Sequence, residues 1–289
     1  MKLFRPRLSE TDFNYFQLKR LTDKKSYTVL LKSDEHGWLS DLTVQRCINK
    51  VLQGNHFDEV ALLGDLGDWP YISRHEKKLY GEGILNGYSE VEEARYIREQ
   101  ILAPLRHSTN AKISFIPGNN DERITKPFTL SVNQLARLSV LHNDRNATKL
   151  GDILSFHEYG VDWDGLSNSI NWFDMFTGVH GLSLAKNAPE RNIMEYMGSG
   201  ATGHTHRLQS KYITNRKNPY VWLEIGCGRI REEVEYFPTG KIPDWQHGFG
   251  VIQFIKVPGG YTFHAQVIPV INGTCVYNGG YYDGNPLAQ

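Results

Sequence analysis

The sequence has few cysteines and no long apolar run. Its 3 cysteines, Cys47, Cys227 and Cys275, are far apart and form no CxxC pair, which argues against a thiolate zinc site and a disulfide framework. No stretch approaches the roughly 18–20 apolar residues that span a bilayer. The start, Met1–Arg7, also lacks the apolar segment of a signal peptide. These absences predict a cytoplasmic protein without a membrane association.

The chain also lacks an excess of either charge. It has 32 Lys+Arg and 32 Asp+Glu, a formal net charge of +0, so the global signature of a polycationic nucleic-acid binder is missing. A local basic groove is still compatible with the sequence, because net charge does not show how the charged residues are distributed over the surface. A hydrophobic content of 40% and a charged content of 22% are ordinary for a globular protein. A chain of 289 residues predicts one large domain, or one domain with an insertion.

Short apolar runs alternate with helical patterns along the chain. This alternation predicts a layered α/β fold. The predicted strands are Tyr27–Lys32, Glu59–Leu63, Lys112–Ile116, Asp174–Val179, Val221–Ile225, Gly250–Lys256 and Tyr261–Ile271. The predicted helices are Asp41–Gln53, Tyr88–Leu105, Leu130–Leu141, Thr148–Tyr159 and Asn187–Met197.

Two segments stand apart from this alternation. Residues 1–26 are polar and predict an N-terminal arm with a short helix over Asp12–Leu21, so the main domain covers residues 27–289. Residues 128–165 carry two helical patterns between strand-end motifs. They predict a small helical lid inserted into the domain.

The most informative feature is the position of the polar side chains. Histidine, aspartate and asparagine follow the ends of the predicted strands, and glycines flank them. Because ligands bind outside the carboxyl ends of strands in open α/β sheets, these side chains are expected to meet at one rim. The residues concerned are Asp34, His36, Asp65, Asp68, Asn119, His180, His204 and His206.

These residue types favour one kind of metal site. Carboxylate, imidazole and amide oxygen suit Mn²⁺, with Fe, Zn²⁺, Ni²⁺ or Mg²⁺ as alternatives. Two divalent ions need a shared anion, and Asp65 is the natural bridge; water activated between them would be the nucleophile. The chain has no GxSxG motif to supply a serine nucleophile. His180 is preferred over His157 as a ligand, because His157 falls in a helical pattern rather than after a strand.

Five ordered blocks carry a resemblance to a known family. Asp34-Glu35-His36, Gly64–Asp68, Gly118–Asp121, Val179–Gly181 and Gly203–His206 resemble the blocks of the calcineurin-like metallophosphoesterase superfamily. The resemblance implies a two-sheet β-sandwich flanked by helices. It implies one metal on Asp34, His36, Asp65 and His206, and a second on Asp65, Asn119, His180 and His204. The segment 244–249 is similar to phage-encoded members.

One position departs from the family pattern. The family's third block has histidine after the metal-binding asparagine, where this chain has Asn120. An amide donates a hydrogen bond but supplies no proton at neutral pH. We therefore expect Asn120 to orient the phosphate while the metals carry most of the catalysis, with Asp65 and His180 as the other catalytic positions.

Neighbouring residues are predicted to support the site or bind substrate. Asp68 and Asp121 are expected to hold the ligands in place, since metal ligands need such partners. Arg123 and Arg207 are candidates for the free phosphate oxygens. Trp69 is open to two interpretations, stacking on a base and packing in the core.

The function expected is metal-dependent hydrolysis of a phosphate ester. A phosphodiesterase or nuclease acting on DNA, RNA or a nucleotide is the first choice. A phosphomonoesterase or protein phosphatase is the second, and a non-catalytic metal-bound scaffold is the third. The sequence gives no argument for a partner protein.

Overall fold

Two large sheets form the body of the protein. The computed structural model describes residues 17–70, 90–125, 150–181, 183–216, 218–231 and 243–286. Within these residues the chain forms two 6-stranded mixed sheets and one 2-stranded hairpin. A buried apolar cluster containing Leu31, Leu63, Trp172 and Leu223 joins side chains of both sheets. The predicted two-sheet α/β fold is confirmed.

The first sheet carries most of the predicted ligand strands. Its strands lie in the order β12-β11-β2-β3-β4-β5. Strands β2 to β5 run parallel to one another, so their carboxyl ends share one edge of the sheet. The strands are β2 (Ser26–Lys32), β3 (Glu59–Leu63), β4 (Lys112–Ile116), β5 (Val161–Asp162), β11 (Gly248–Val257) and β12 (Gly260–Pro269).

The second sheet supplies the remaining ligand strands. Its order is β1-β6-β7-β8-β10-β9. Strands β7, β8 and β10 are parallel neighbours, so they also end at a common edge. The strands are β1 (Gln17–Arg20), β6 (Ser169–Trp172), β7 (Phe176–Val179), β8 (Ser199–Thr202), β9 (Leu208–Thr214) and β10 (Pro219–Ile225), with β13 (Thr274–Tyr277) and β14 (Gly280–Asp283) forming the hairpin.

Helices accompany the sheets, and a second apolar core lies between the first sheet and its helices. In this core Ile48 and Val51 pack with Phe115 and Phe249. None of the helices in the described ranges has the length and apolarity that crossing a bilayer requires. The helices are α1 (Leu42–Gly54), α2 (Glu90–Tyr96), α3 (Ala103–Ser108), α4 (Asp121–Thr125), α5 (Leu150–Ile153), α6 (Phe156–Tyr159) and α7 (Ala188–Tyr196).

Helix α1 begins at an aspartate cap. Asp41 Oδ1 accepts hydrogen bonds from the backbone N–H groups of Thr43 at 2.8 Å and Val44 at 3.4 Å. Burial raises the pKa of Asp41, but the hydrogen bonds from Thr43 outweigh it and hold the pKa below its ordinary value. The carboxylate form is therefore the better cap.

We expect Asp41→Ala to lower the free energy of unfolding by about 1 kcal/mol at pH 6, because two N–H groups lose their acceptor. A carboxyl with a depressed native pKa contributes stability above its unfolded value of about 3.9 and loses it as pH falls. The difference between wild type and variant should therefore shrink at pH 3. Urea denaturation at both pH values measures it, and an equal difference at both would contradict the charged cap.

The N-terminal helix expected over Asp12–Leu21 is wrong where it can be checked. Gln17–Arg20 is instead the edge strand β1, paired in parallel with Ser169–Trp172. The reason is a tertiary anchor: Arg20 Nε donates to the fully buried Glu59 at 3.1 Å, and its Nη2 donates to Asp162 at 2.8 Å. Long-range ion pairing overrides the local pattern here.

The helix predicted over Tyr88–Leu105 is interrupted. From Glu90 onward it runs as α2, then a π-helical segment at Ile97–Leu102, then α3. Pro104 stands in the first turn of α3 and has no N–H to donate to the preceding turn. The helical hydrogen-bond pattern changes just before Pro104, where the Ala103 N–H donates to the carbonyl of Arg98.

The predicted lid is described only in its second half. Leu130–Leu141 lies outside the described residues. The single helix expected over Thr148–Tyr159 appears from Leu150 onward as two short helices, α5 and α6. Ser155 separates them with a φ of 52°, a left-handed conformation that an α-helix does not contain.

Candidate metal centre

The strand ends of both sheets deliver polar side chains to one place. Each ligand candidate follows a strand directly, and the parallel order of the strands puts these ends at facing edges of the sandwich. Asp34 and His36 follow β2, Asp65 follows β3, Asn119 follows β4, His180 follows β7, and His204 and His206 follow β8.

Three of these residues form a first ligand group, Asp34, His36 and His206. All three are buried, with exposed fractions of 0%, 4% and 6%. His206 Nε2 lies 3.2 Å from Asp34 Oδ1 and 3.1 Å from His36 Nε2. Two atoms that each bind one ion at ~2.0–2.2 Å stand about 3–3.6 Å apart. The spacing therefore fits a shared cation.

A second ligand group consists of Asp65, His180 and His204. Asp65 Oδ2 lies 3.4 Å from His180 Nε2 in this group and 4.0 Å from His36 Nε2 in the first. Asn119 is exposed and directs Oδ1 to His180 Nε2 at 3.1 Å. Asp65 thus stands between the groups, the place that the sequence predicted for a bridging carboxylate.

The hydrogen bonds of His180 leave a lone pair pointing into the site. Its Nδ1 lies 2.8 Å from the carbonyl oxygen of Leu63 and must donate a proton to it, because a carbonyl only accepts. The neutral ring then presents the Nε2 lone pair to the oxygens of Asn119 and Asp65, which donate nothing. Three lone pairs that converge in this way repel one another unless a proton or a metal ion lies among them. The donor set therefore fits a divalent metal.

The first group shows the same pattern. His36 Nδ1 lies 2.7 Å from Asp68 Oδ1 and donates to it, so a neutral His36 ring directs the lone pair of Nε2 toward His206. Asp34 Oδ1 is buried and has no hydrogen-bond donor. An uncompensated buried carboxylate oxygen is costly, and a metal ion is the partner that this geometry accommodates.

The backbone adopts the left-handed conformation, with positive φ, at five of the ligand positions. Asp34, His36 and Asp65 have φ values of 58°, 55° and 51°, and His204 and His206 have 62° and 57°. Non-glycine residues adopt this left-handed conformation at a cost of about 1–2 kcal/mol each. Such outliers cluster at functional sites, where the surrounding fold enforces them. Here they turn alternate side chains of a loop toward the same centre.

Close backbone approach also explains two flanking glycines. A Cβ on Gly118 would stand 2.2 Å from Asp65 Oδ1, and one on Gly203 would stand 2.3 Å from Asp34 Oδ2. Neither position can hold a larger residue without displacing a ligand carboxylate. The glycines noted in the sequence therefore make room for the two aspartates.

The charges of the site are strongly coupled. Burial raises the pKa of Asp34, but His206, His180 and His36 outweigh it and hold the pKa well below its ordinary range. Burial lowers the pKa of His180, yet Asp65 and Asp34 raise it to about 10. In the metal-free protein a proton therefore occupies the place between His180 and Asp65. Cation binding would release it, as metal binding at histidine does in general.

Comparisons with known proteins add a weak structural likeness. No family model and no curated protein matches the sequence. The chain is similar to a predicted phosphoesterase from Streptococcus pneumoniae, with 12% sequence identity over 83% of this chain and 98% of that chain and a TM-score of 0.32. It is similar to Vps29 complexed with zinc from Entamoeba histolytica, with 13% identity over 83% of this chain and 98% of that chain and a TM-score of 0.37. It is also similar to GAP50, the anchor in the inner membrane complex of Plasmodium, with 9% identity over 90% of this chain and 89% of that chain and a TM-score of 0.38. Likenesses this distant carry no conclusion about activity, and the similarity of residues 244–249 to phage-encoded members stays a prediction.

Two buried carboxylates hold the loop that follows β3. Asp121 accepts hydrogen bonds from the N–H groups of Leu66 at 3.2 Å, Gly67 at 3.2 Å and Gly118 at 3.0 Å. Burial, reinforced by the charge of Asp65, raises the pKa of Asp121 to about 6. Asp121 therefore holds the loop after β3 in place, and its predicted support of the metal ligands stays a prediction.

Glu93 is the second of these carboxylates, and the sequence did not predict it. Its Oε1 accepts the N–H of Asp68 at 2.7 Å, and its two oxygens accept the N–H of Trp69 at 3.2 and 3.1 Å. A charged residue four positions before Ile97 lies on the apolar face of its helix. That mismatch is the signal that could have revealed it.

Asn120 binds the carboxylate of Asp65, the central ligand residue. Its backbone N–H donates to Asp65 Oδ1 at 2.8 Å, and its side-chain amide donates to Asp65 Oδ2 at 3.1 Å. Its side chain is also 3.4 Å from His36 Nδ1. Both oxygens of the central carboxylate are therefore held by one residue.

The predicted substrate-contacting residues lie in different surroundings. Arg123 Nη1 donates to the carbonyl of Asp68 at 2.8 Å, so it is beside the site. The guanidinium of Arg207 is bound to Glu224 and to the carbonyl of Ala185. Trp69 is fully buried, which favours core packing over stacking on a base.

Two further residues flank the site and were not predicted. Trp245 is half-buried, and its ring lies over that of His206 at a centroid distance of 4.3 Å. Arg229 is buried and places Nη1 3.4 Å from Asp68 Oδ1. Arg229 follows β10 closely, so the argument from strand ends could have found it. The sequence did not indicate it because arginine is not a typical metal ligand.

Proposed function

We propose that this chain is a calcineurin-like metallophosphoesterase that hydrolyses phosphate esters with two divalent metal ions. The observation that carries the proposal is the pair of ligand groups whose donor atoms converge around two neighbouring points, with Asp65 between them. Mn²⁺ is the metal we propose, since carboxylate, imidazole and amide ligands suit it. A bound metal pair would activate water and neutralise the phosphate charge.

The protein's own residues supply positioning. Asp65 would hold both cations, and Asn120 fixes both of its oxygens through the hydrogen bonds described above. Burial, followed by the charge of His180, lowers the pKa of His204, so this ring is neutral at pH 7 and available as a ligand. His36 is oriented by Asp68. These contacts fix the ligand geometry before a substrate arrives.

A phosphodiester of a nucleic acid or nucleotide is the substrate class we propose. Trp245 offers an aromatic ring beside His206, and bases stack on such rings regardless of sequence. Asn120 supplies no proton at neutral pH. Leaving groups that depart without strong protonation, such as aryl or phosphoryl groups, should therefore react fastest.

A matched substrate panel with Mn²⁺ tests the proposal. It compares single-stranded DNA, duplex DNA, RNA, cyclic nucleotides, bis-p-nitrophenyl phosphate and p-nitrophenyl phosphate, with Asp65→Asn as the blank. We expect turnover of the bis-ester to exceed that of the mono-ester. The reverse order would favour a phosphomonoesterase or protein phosphatase. A metal-loaded protein that cleaves no substrate of the panel would favour a non-catalytic scaffold.

A further inference from the structure

Arg229 is a buried cation beside the first ligand group. Only 6% of the residue is exposed. Its guanidinium Cζ lies 5.7 Å from the ring centroid of Trp245, which in turn covers His206. An arginine is rarely buried unless it is paired. Its partners therefore indicate what the charge does.

The peptide bond between Arg229 and Ile230 is held at both of its polar groups. The next residue, Ile230, donates its N–H to the carbonyl of Leu39 at 2.7 Å. His247 Nε2 donates to the carbonyl of Arg229 at 2.8 Å. These bonds tie the segment after β10 to Leu39, which follows β2, and to His247, which precedes β11, so the side chain starts from a fixed position. Less conformational entropy is then lost when the guanidinium binds its partner.

Among the described residues, the guanidinium contacts a carboxylate that orients a metal ligand. Arg229 Nη1 lies 3.4 Å from Asp68 Oδ1 and 3.4 Å from His36 Nδ1. The same Asp68 oxygen accepts the Nδ1 proton of His36 at 2.7 Å. Three side chains therefore form a chain of contacts from a fixed cation, through a carboxylate, to the ring that presents Nε2 to the metal.

We propose that Arg229 is a positioning residue that holds Asp68, and through Asp68 the ring of His36, so that the first ligand group binds its cation tightly. The inference rests on the metal centre of the proposed function. A purely electrostatic role predicts the opposite sign, because removing a nearby positive charge would strengthen cation binding. The direction of the change therefore distinguishes the two roles.

Calorimetric titration of the metal-free protein with Mn²⁺ measures the effect directly. The binding step lost in His206→Ala identifies the first group, and the step lost in His204→Ala identifies the second. In Arg229→Met we expect the first-group affinity to fall about tenfold, since partners of ligating histidines contribute roughly 10–100-fold. The second-group affinity should stay within about twofold of wild type. The visible absorption of the Co²⁺-loaded first group should shift as well.

Four further variants keep the test specific. Arg20→Met removes an arginine from another buried carboxylate, Glu59, at the start of β3, and should leave both binding steps unchanged. Asp68→Asn should weaken the first step at least as much as Arg229→Met, and the double variant should be no weaker than Asp68→Asn alone. Arg229→Gln should change affinity in the same direction as Arg229→Met, and it serves if the methionine variant does not fold.

The outcomes separate the inference from the proposed function. A wild-type protein that binds no Mn²⁺ would overturn the metal centre itself. Wild-type binding together with unchanged or tighter first-group binding in the Arg229 variants would overturn only the positioning role. Independent, multiplicative losses in the Arg229/Asp68 double variant would also overturn it, because the two residues would then act separately.

Discussion

Replacing Asp65 by asparagine is expected to lower metal-dependent phosphodiester hydrolysis by about a thousandfold. Asp65 Oδ2 lies between His180 Nε2 at 3.4 Å and His36 Nε2 at 4.0 Å, so its charge serves both ligand groups. Losing the metal pair forfeits several kcal/mol of transition-state stabilisation, and each ~1.36 kcal/mol is a factor of ten in rate. Initial rates with bis-p-nitrophenyl phosphate at saturating Mn²⁺ measure the effect.

Asparagine is the informative substitution at this position because it removes the negative charge and keeps the shape of the side chain. A matched control is Asp174→Asn, which changes an exposed carboxylate paired only loosely with Lys19 at 3.7 Å. Its rate should equal that of wild type. Hydrolysis by Asp65→Asn within tenfold of wild type, in a protein that still unfolds cooperatively, would show that Asp65 does not bridge the metals.

The assembly of the site was predictable because it depends on strand order. Asp34, Asp65 and Asn119 follow three parallel neighbours, and parallel strands bring their carboxyl ends to one edge whatever the exact twist of the sheet. His180 and His206 follow parallel strands of the second sheet. The ends of apolar runs are among the clearest features of a sequence, so local patterns were sufficient here.

The supporting residues were less predictable because their role depends on distant contacts. Glu93 accepts N–H groups 25 and 24 residues away, and Arg229 pairs with an aspartate 161 residues away. No local spacing encodes such pairings. The same applies to β1, whose Arg20 is anchored by Glu59 39 residues later. Long-range polar partners decided these roles, and for Gln17–Arg20 the local pattern indicated a helix where the structure has a strand.

Metal removal is expected to lower thermal stability strongly. In the metal-free protein the buried carboxylates of Asp34 and Asp65 lie against imidazole rings, with only a proton between Asp65 and His180, and Asp34 Oδ1 has no hydrogen-bond donor. A ligand that binds only the folded state stabilises it by about 2.7 kcal/mol at a hundred times its Kd. For a chain of this size that corresponds to a rise in Tm of roughly 5–10 °C.

Thermal unfolding with EDTA, and then with excess Mn²⁺, measures the difference. The rise should be partly lost in His206→Ala and in His204→Ala, and nearly abolished when both histidines are removed, because each group then lacks a ligand. His56→Ala is the matched control, since His56 has a side chain 84% exposed and lies in neither group. Equal Tm values with chelator and with metal in the wild-type protein would mean that these buried aspartates and histidines do not hold a cation. The left-handed backbone at Asp34, His36 and Asp65 would then need another explanation.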